Sequence, residues 1–249
     1  MYLTTQGLVL RVTKYKDHDG LLTVLTKDHG KLTVKARGLF RKNSPLSAPC
    51  QLLCFSEFTL FEYREMFTVN DAHTIELFHG LRRDLLKLSL GTYFAQVAGV
   101  MSQEDIPNPE LLSVTLNCLY ALEKLNVSQN QIKAVFELHV ACISGYTPEY
   151  HGCYQCGNPL PDRFNISEGR LECSRCRDGE SGGIRMPLLP GALDCIRYIC
   201  TCDMKGLFRF QIGESSAQSL SEITEAYLTT QLEQGFSALD FYKTILLQN

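Results

Sequence analysis

The chain has 249 residues, of which 45% are hydrophobic and 20% are charged, and its formal net charge is −3. These values are typical of a globular protein with one large domain or two ordinary ones, and they exclude a disordered or strongly basic chain. Residues 1–50 nevertheless carry a charge of +6, while the rest of the chain carries −9. A basic amino-terminal segment on an acidic body predicts a surface for a polyanion at one end.

The first 75 residues favour β-structure. Runs of alternating or β-branched residues predict strands over 3–14, 21–26, 31–37, 52–63 and 67–71. In the first run, Leu8, Leu10 and Val12 are expected on one face. Five short strands with hairpin turns and no helical periodicity predict a small barrel such as an OB-fold.

Cationic side chains cluster on the third predicted strand and on the loop after it. Lys31, Lys35 and Arg37 share the face opposite to the apolar one, and a solvated surface is the alternative explanation for them. The loop over 38–45 places Phe40 among cations, and single-strand binders combine an exposed ring with phosphate-neutralising charges in this way. The predicted DNA contacts are Arg11, Lys14, Lys31, Lys35, Arg37, Phe40, Arg41 and Lys42.

From about residue 77 the apolar spacing becomes helical. A first helix is marked by leucines at 81, 85 and 88, and further helices are predicted over 110–125, 130–144, 190–200, 219–234 and 237–246. Gly145 is expected to end the third of these helices, and residues 219–222 resemble a capping box. The predicted fold class is therefore α+β multidomain, with an OB-fold domain over 1–78 and an all-α domain over 79–249.

Two Cys-x-x-Cys pairs interrupt the helical region. Their spacing is typical of a structural zinc site, and the alternatives are two disulfides or unrelated thiols. An inserted zinc ribbon is predicted over about 149–184, with short strands near 164–166 and 169–172 and a loop over 182–187. Four thiolates leave no open position on the metal, so the Zn²⁺ is expected to be structural. Its predicted ligands are Cys153, Cys156, Cys173 and Cys176.

The rest of the sequence offers only weak candidates for a metal, redox or catalytic site. Cys200-Thr-Cys202 is a weak candidate for a metal or redox role, and His151 is a weak alternative zinc ligand. Phosphate-binding glycine motifs, a serine nucleophile elbow and a His-x-x-x-His pair are absent from the sequence, which favours a binding protein over an enzyme. The start of the chain does not resemble a signal peptide, and no apolar run reaches the length of a membrane span, so we expect a cytoplasmic protein.

Several stretches resemble the RecO family of bacterial recombination mediators, in its zinc-bearing form. Residues 7–10, 21–26, 29–31 and 36–38 are similar to the barrel of that family, residues 136–140, 145–148 and 153–157 to its approach to the zinc site, and residues 236–241 to its terminal helix. Phe40 departs from the family-typical basic loop.

The resemblance covers nearly the whole chain and implies a function in the RecF pathway. It implies binding of single- and double-stranded DNA by the OB-fold and annealing of complementary strands coated by single-strand-binding protein. It also implies loading of RecA with RecR as partner, docking of the single-strand-binding-protein C-terminal tail on the helical domain, and a nucleoid-associated location. The alternatives from the residues alone are a zinc-ribbon RNA-binding or transcription-associated module, a nuclease, and a scaffold whose basic face is only solvated.

Overall fold

The structure, a computed structural model, describes residues 1–64, 66–176 and 183–248. The chain divides into two compact units. The first unit comprises Met1–Glu123 and Phe236–Asn249, and the second comprises Lys124–Gly235. The sequence-based boundary at residue 78 stays a prediction.

Five strands of the first unit form a closed barrel. They are β1 (Tyr2–Tyr15), β2 (Asp19–Thr26), β3 (Lys31–Ala36), β4 (Phe55–Tyr63) and β5 (Met66–Glu76). Their order around the barrel is β1-β2-β3-β5-β4, and β4 pairs back with β1. The β3–β5 pairing is parallel, and the other described pairings are antiparallel. The barrel confirms the predicted OB-like architecture.

A bulge in β1 changes which of its side chains point into the barrel. The pairing of β1 with β2 shifts between Val9 and Arg11. Val9 therefore lies in the barrel core with Val12 packed against the same cluster, and Leu8 and Leu10 are also buried. The prediction that Val12 shares a face with Leu8 and Leu10 is wrong, because an extra residue at a bulge reverses the alternation.

The β2–β3 turn depends on a glycine. Gly30 has φ +64°, in the left-handed region, and a Cβ there would collide with the backbone of Ile106. The turn is tied on one side by Thr26, whose backbone N–H donates to the Gly30 carbonyl over 2.8 Å. The predicted hairpin at residues 28–30 is thus confirmed.

The first unit also contains α1 (Leu85–Met101), α2 (Pro109–Lys124) and α6 (Ser237–Leu246). Two of these helices begin at a side-chain cap, which satisfies an N–H that the helix itself leaves unpaired. Asp84 accepts from the N–H of Lys87 at the start of α1, and Asn108 accepts from Leu111 in α2. Leu10 of β1 approaches Gly99 of α1, so this helix covers the outer face of the barrel strand.

The second unit contains α3 (Gln129–Ile143), α4 (Pro190–Thr201) and α5 (Glu214–Gln231). The α3 prediction is confirmed to within one residue at each end, and Gly145 beyond it has φ +89°. The predicted start of α5 at residue 219 is wrong, because the helix already begins after Gly213. The capping-box interpretation of residues 219–222 fails with it, since these residues lie inside the helix.

A buried charge network joins α3 to α5. The Lys133 ammonium lies 3.0 Å from a Glu137 carboxylate oxygen and 2.9 Å from one of Glu225. It also donates to the Ser221 carbonyl over 3.0 Å. Removing one member of such a network leaves a charge in a low-dielectric interior, which is costly, so the network specifies how α3 and α5 pack.

Three short strands make a ribbon between α3 and α4. They are β6 (Arg163–Asn165), β7 (Arg170–Glu172) and β8 (Arg185–Pro187), in the order β7-β6-β8. The first two confirm the predicted strands. The predicted loop over 182–187 is wrong for Arg185–Pro187, which pair with β6, and its first residue lies outside the described residues. In the described part of the chain, no helix is long and apolar enough to span a membrane.

Candidate nucleic-acid interface and metal centre

The four predicted zinc ligands lie together in the ribbon. The sulfur atoms of Cys153, Cys156, Cys173 and Cys176 are all within 4.8 Å of one another. Cys153 and Cys173 are buried, Cys156 is exposed and Cys176 is half-buried. In the residues that the structure describes, no histidine or carboxylate joins this group, and so His151 is not part of it.

Local backbone geometry creates each half of the cluster. After the first pair, Gly157 has φ +71° and its N–H donates to the Cys153 carbonyl over 2.8 Å. The second pair closes in a short 3₁₀ turn, in which the Cys176 N–H donates to the Cys173 carbonyl over 3.1 Å. In each pair, two sulfur atoms from residues three positions apart therefore converge on one point, as a tetrahedral metal ion requires.

Hydrogen bonds to sulfur favour the thiolate form of Cys153. Burial raises the pKa of Cys153, but donation from the backbone N–H groups of Cys156, Gln155 and Cys173 outweighs burial and lowers this pKa to about 6. The Asn158 side-chain amide donates to the Cys173 sulfur over 3.2 Å. Metals bind the deprotonated thiol, and the donors favour this form at Cys153. Burial raises the pKa of Cys173, and the hydrogen bond with Cys156 raises that of Cys176 to about 12, so the case for a soft divalent metal rests on the four converging sulfur atoms.

Charged side chains hold the ribbon around the cluster. Glu172 accepts from Arg185 over 2.7 Å and from Arg170 over 3.2 Å. The Asp162 carboxylate accepts from the Ser174 N–H over 2.6 Å, directly after the ligand Cys173. From α4, the Arg197 guanidinium donates to the carbonyls of Tyr150, His151 and Pro159, which anchors the first Cys pair to the helix.

A second candidate site is an open groove on the outside of the barrel. It has a volume of about 660 Å³, within the range of about 300–1,000 Å³ that ligand sites occupy. Four aromatic rings line it, together with two cationic side chains. The aromatic residues are Tyr2, Tyr15, Phe61 and Tyr63, and the cations are Lys35 and Arg37. We refer to these six residues as the aromatic groove.

The rings of the aromatic groove are exposed rather than packed into a core. Tyr2 and Tyr63 are 63% and 61% exposed, and the Tyr2 and Phe61 ring centroids lie 5.2 Å apart. Cations accompany the rings, since the Lys35 ammonium lies 5.3 Å from the Tyr15 ring centroid and the Arg64 guanidinium 5.2 Å from that of Tyr63. Clustered exposed aromatics indicate a binding surface.

One acidic residue forms an ion pair with a cation of the groove. Asp19 lies 3.2 Å from the Lys35 ammonium and also accepts from the Gly38 N–H over 2.8 Å. The Gly38 hydrogen bond, followed by that of Lys35, lowers the pKa of Asp19. Lys35 is therefore held in place over the Tyr15 ring with part of its charge compensated.

Comparison with known proteins places both sites in a family context. The model for the recombination protein O N terminal region matches residues 1–78, and the model for its C terminal region matches residues 82–240. The chain belongs to the RecO family.

Curated relatives named DNA repair protein RecO match over almost their full length. That of Acetivibrio thermocellus is 34% identical over 246 residues, which cover 98% of this chain and 97% of the relative. That of Alkaliphilus metalliredigens is 30% identical over 98% of this chain and 100% of the relative. That of Caldicellulosiruptor bescii is 26% identical over 98% of each. The likeness to these relatives therefore extends over both RecO-family regions of this chain.

In this RecO-family chain, the predicted DNA contacts lie in different surroundings. Lys35 and Arg37 line the aromatic groove. Phe40, Arg41 and Lys42 are exposed on the following loop, where the Phe40 N–H donates to the His18 carbonyl of the β1–β2 turn over 2.9 Å. This contact holds the loop over 38–45, which we refer to as the basic loop, beside the β1–β2 turn.

The remaining predicted contacts lie on β1 and at the start of β3. Arg11 and Lys14 are exposed on β1 but do not line the groove. The Lys31 ammonium instead donates to the Gly99 carbonyl of α1 over 3.0 Å, a contact that ties the barrel to this helix.

Sequence reasoning missed the four rings of the RecO-family groove. They come from both ends of β1 and from the end of β4, and β1 pairs with β4 at Tyr2–Phe61 when the barrel closes. The sequence does indicate that two of the rings lie together, because Phe61 and Tyr63 are two residues apart and so share one face of β4.

Proposed function

We propose that this chain is a DNA-repair and recombination mediator that binds DNA with the aromatic groove and the basic loop of its barrel. The observation that carries the proposal is the groove itself, in which four exposed rings lie together with two cations on an OB-like barrel. Unpaired bases stack on such rings regardless of sequence, at about 1–3 kcal/mol per base. Family membership supports the assignment of this role to the predicted domain 1–78.

The cations of the barrel would supply most of the affinity for DNA, and the exposed rings would favour single-stranded over double-stranded DNA. Lys35 and Arg37 would contact phosphates of a strand in the groove, while Arg41 and Lys42 would extend this contact along the loop. Because phosphate contacts release counterions, binding would weaken steeply with salt and depend little on sequence. A duplex would bind through the cations alone, because its bases are already stacked.

Strand annealing follows from this charge neutralisation. Two complementary strands repel each other through their phosphates, and a protein that compensates this charge lets them approach without nucleotide hydrolysis. We propose that the chain anneals strands coated by single-strand-binding protein, whose C-terminal tail docks on the helical region, and helps load RecA together with RecR. We place this activity in the bacterial cytoplasm at the nucleoid and assign no enzymatic step to the chain.

We propose Zn²⁺ as the ion held by Cys153, Cys156, Cys173 and Cys176. Two Cys-x-x-Cys pairs with converging sulfur atoms and N–H donors favour zinc over harder cations, which prefer oxygen ligands. When bound, the ion would supply a structural cross-link with no open coordination position. The ribbon would then stabilise the second unit and take no direct part in DNA binding.

The test compares three double variants that each remove one lysine and one arginine. They are K35A/R37A in the groove, R41A/K42A on the loop, and K205A/R209A at exposed positions of the other unit as the control. We expect the first two to lower affinity for a labelled oligonucleotide. Each should also reduce the slope of log K against log salt by about 1.4, since one contact to a single strand accounts for about 0.7.

Equal effects of all three variants would show that general charge, and not this surface, governs binding. Annealing of complementary oligonucleotides coated with single-strand-binding protein, without nucleotide, would then test the mediator activity. Acceleration that fades with salt supports it. Tighter binding of an RNA competitor would favour the RNA-binding alternative, and cleavage products with Mg²⁺ would favour a nuclease.

A further inference from the structure

Two cysteines outside the metal cluster lie in contact. Cys142 is in the last turn of α3 and Cys200 is in the last turn of α4, and their sulfur atoms are 3.6 Å apart. Both residues belong to the second unit, and both are half-buried. A disulfide requires about 2.05 Å, so the sulfur atoms need to approach by only about 1.5 Å.

Cys200 contacts Cys142 of another helix and not Cys202, which is its neighbour in the sequence. Cys202 lies two residues from Cys200, but its thiol donates to the Ile199 carbonyl of its own helix over 3.6 Å. Cys195, on the same helix, is buried. The pair therefore joins two helices that are distant in sequence, which the Cys200-Thr-Cys202 motif does not indicate.

The surroundings favour one thiolate in the pair. The hydrogen bond with Cys200 lowers the pKa of Cys142 despite burial, and the Thr147 hydroxyl adds to this effect. The same contact raises the pKa of Cys200, so Cys142 is the member of the pair that loses its proton more readily. A thiolate beside a protonated thiol is the arrangement of an attacking and a resolving cysteine.

We propose that Cys142 and Cys200 form a reversible, peroxide-sensitive disulfide site that links α3 to α4. The Cys142 thiolate attacks one oxygen of hydrogen peroxide, the O–O bond breaks, and hydroxide leaves with the electron pair. The Cys200 sulfur then attacks the sulfenic acid sulfur, the S–O bond breaks, and the leaving hydroxide takes the Cys200 proton and departs as water. Two thiols and one peroxide thus give one disulfide and two waters, and a cellular dithiol reductant reverses the change.

The covalent loop closed by this disulfide would include the whole ribbon. All four cluster cysteines lie between positions 142 and 200. The oxidised chain would therefore have both ends of the ribbon segment covalently joined at the helices that carry it. Such a link restricts the unfolded chain and holds the base of the ribbon even when the metal is removed.

The experiment uses the full-length, zinc-loaded protein treated with graded hydrogen peroxide. Free thiols are alkylated, and disulfide-linked peptides are mapped by mass spectrometry, while a chromogenic chelator reports released zinc. We expect a peptide linking Cys142 to Cys200 at peroxide doses that leave zinc bound, and its loss after treatment with dithiothreitol. C142S and C200S should abolish this peptide, and C195S, on the same helix, should retain it.

Three results would overturn the proposal. They are continued alkylation of Cys142 and Cys200 after oxidation, appearance of the link only after zinc has been released, and linkage of Cys200 to Cys202 or to a cluster cysteine instead. The wild-type peptide map alone decides among these results, so the test holds even if a serine variant fails to fold.

Discussion

The barrel closes on itself through long strand pairings around an apolar interior, whereas the ribbon consists of three strands of three residues each. β1 and β4 pair at seven positions, and side chains such as Phe58 and Leu60 are 1% exposed inside the barrel. The ribbon buries Phe164 and Leu171, with Phe164 edge-on to Tyr227 of α5. Structures this small rarely fold on apolar burial alone and need a metal or disulfide. Apolar burial therefore dominates in the barrel, whereas we expect a bound metal to contribute most of the stability of the ribbon.

The largest effect should come from removing a metal ligand. Cys153→Ser replaces a thiolate with a poor ligand, and structural zinc contributes about 10–16 kcal/mol to the folding of small zinc-binding domains. We expect loss of bound zinc and loss of amide-exchange protection over residues 150–176, with protection of the barrel strands retained. Mass-spectrometric hydrogen exchange and metal analysis measure both.

The control for that prediction is Cys118→Ser, which changes a buried thiol of α2 outside the cluster. This control should keep its zinc. Retained zinc and ribbon protection in Cys153→Ser would show that apolar contacts alone hold the ribbon.

A barrel-core substitution should reverse this pattern. Phe58→Ala leaves a cavity inside the barrel and should lower the free energy of unfolding by about 3–5 kcal/mol, while zinc remains bound. Phe61→Ala, on the outer face of the same strand, should cost less than about 1 kcal/mol but weaken DNA binding. Urea unfolding and oligonucleotide titration distinguish the two, and equal destabilisation would contradict the inside–outside assignment.

The smallest effect concerns the charge of the aromatic groove. Asp19→Asn keeps an oxygen that can accept from the Gly38 N–H but removes the charge beside Lys35. We expect DNA affinity to rise about two- to fivefold, on the scale of one ion pair near the protein surface.

The Asp19 effect should be independent of pH near neutrality. The lowered pKa of Asp19 keeps its carboxylate charged at every pH above its ordinary value of 3.8. The gain in affinity should therefore be the same at about pH 6 and about pH 8 by fluorescence anisotropy. Weaker binding by the variant would mean that Asp19 positions Lys35 and does not compete with phosphate.

Regular patterns predicted most of the fold. The periodicity of α3 and the cysteine spacing each depend on residues close in sequence, and both predictions agree with the observed elements. The start of α5 was missed because its first turn is polar and Gly213 before it makes no side-chain cap. β8 was missed because it exists only as a partner of β6, and three residues carry no pattern of their own.

The binding surfaces were less predictable than the elements. The cations at 35 and 37 could be identified because they alternate at the end of one predicted strand, of which Arg37 lies one residue beyond the observed β3, but the rings around them come from β1 and β4. Likewise, Cys142 meets Cys200 only because α3 packs against α4. Contacts between distant segments depend on closure and packing, which local periodicity does not encode.

The parallel junction of the barrel has a mechanical consequence. In the described residues, β3 and β5 pair at two positions, Val34–Phe67 and Lys35–Thr68, and Lys35 and Thr68 also line the aromatic groove. Among the strand pairings that the structure describes in the barrel, the β3–β5 pairing beside the groove is thus the one with the fewest paired positions. Transient separation of β3 from β5 would widen the groove at a small cost in free energy, while the long β1–β4 pairing would keep the rest of the barrel closed. We therefore expect the barrel to deform most readily at the face that carries the aromatic groove.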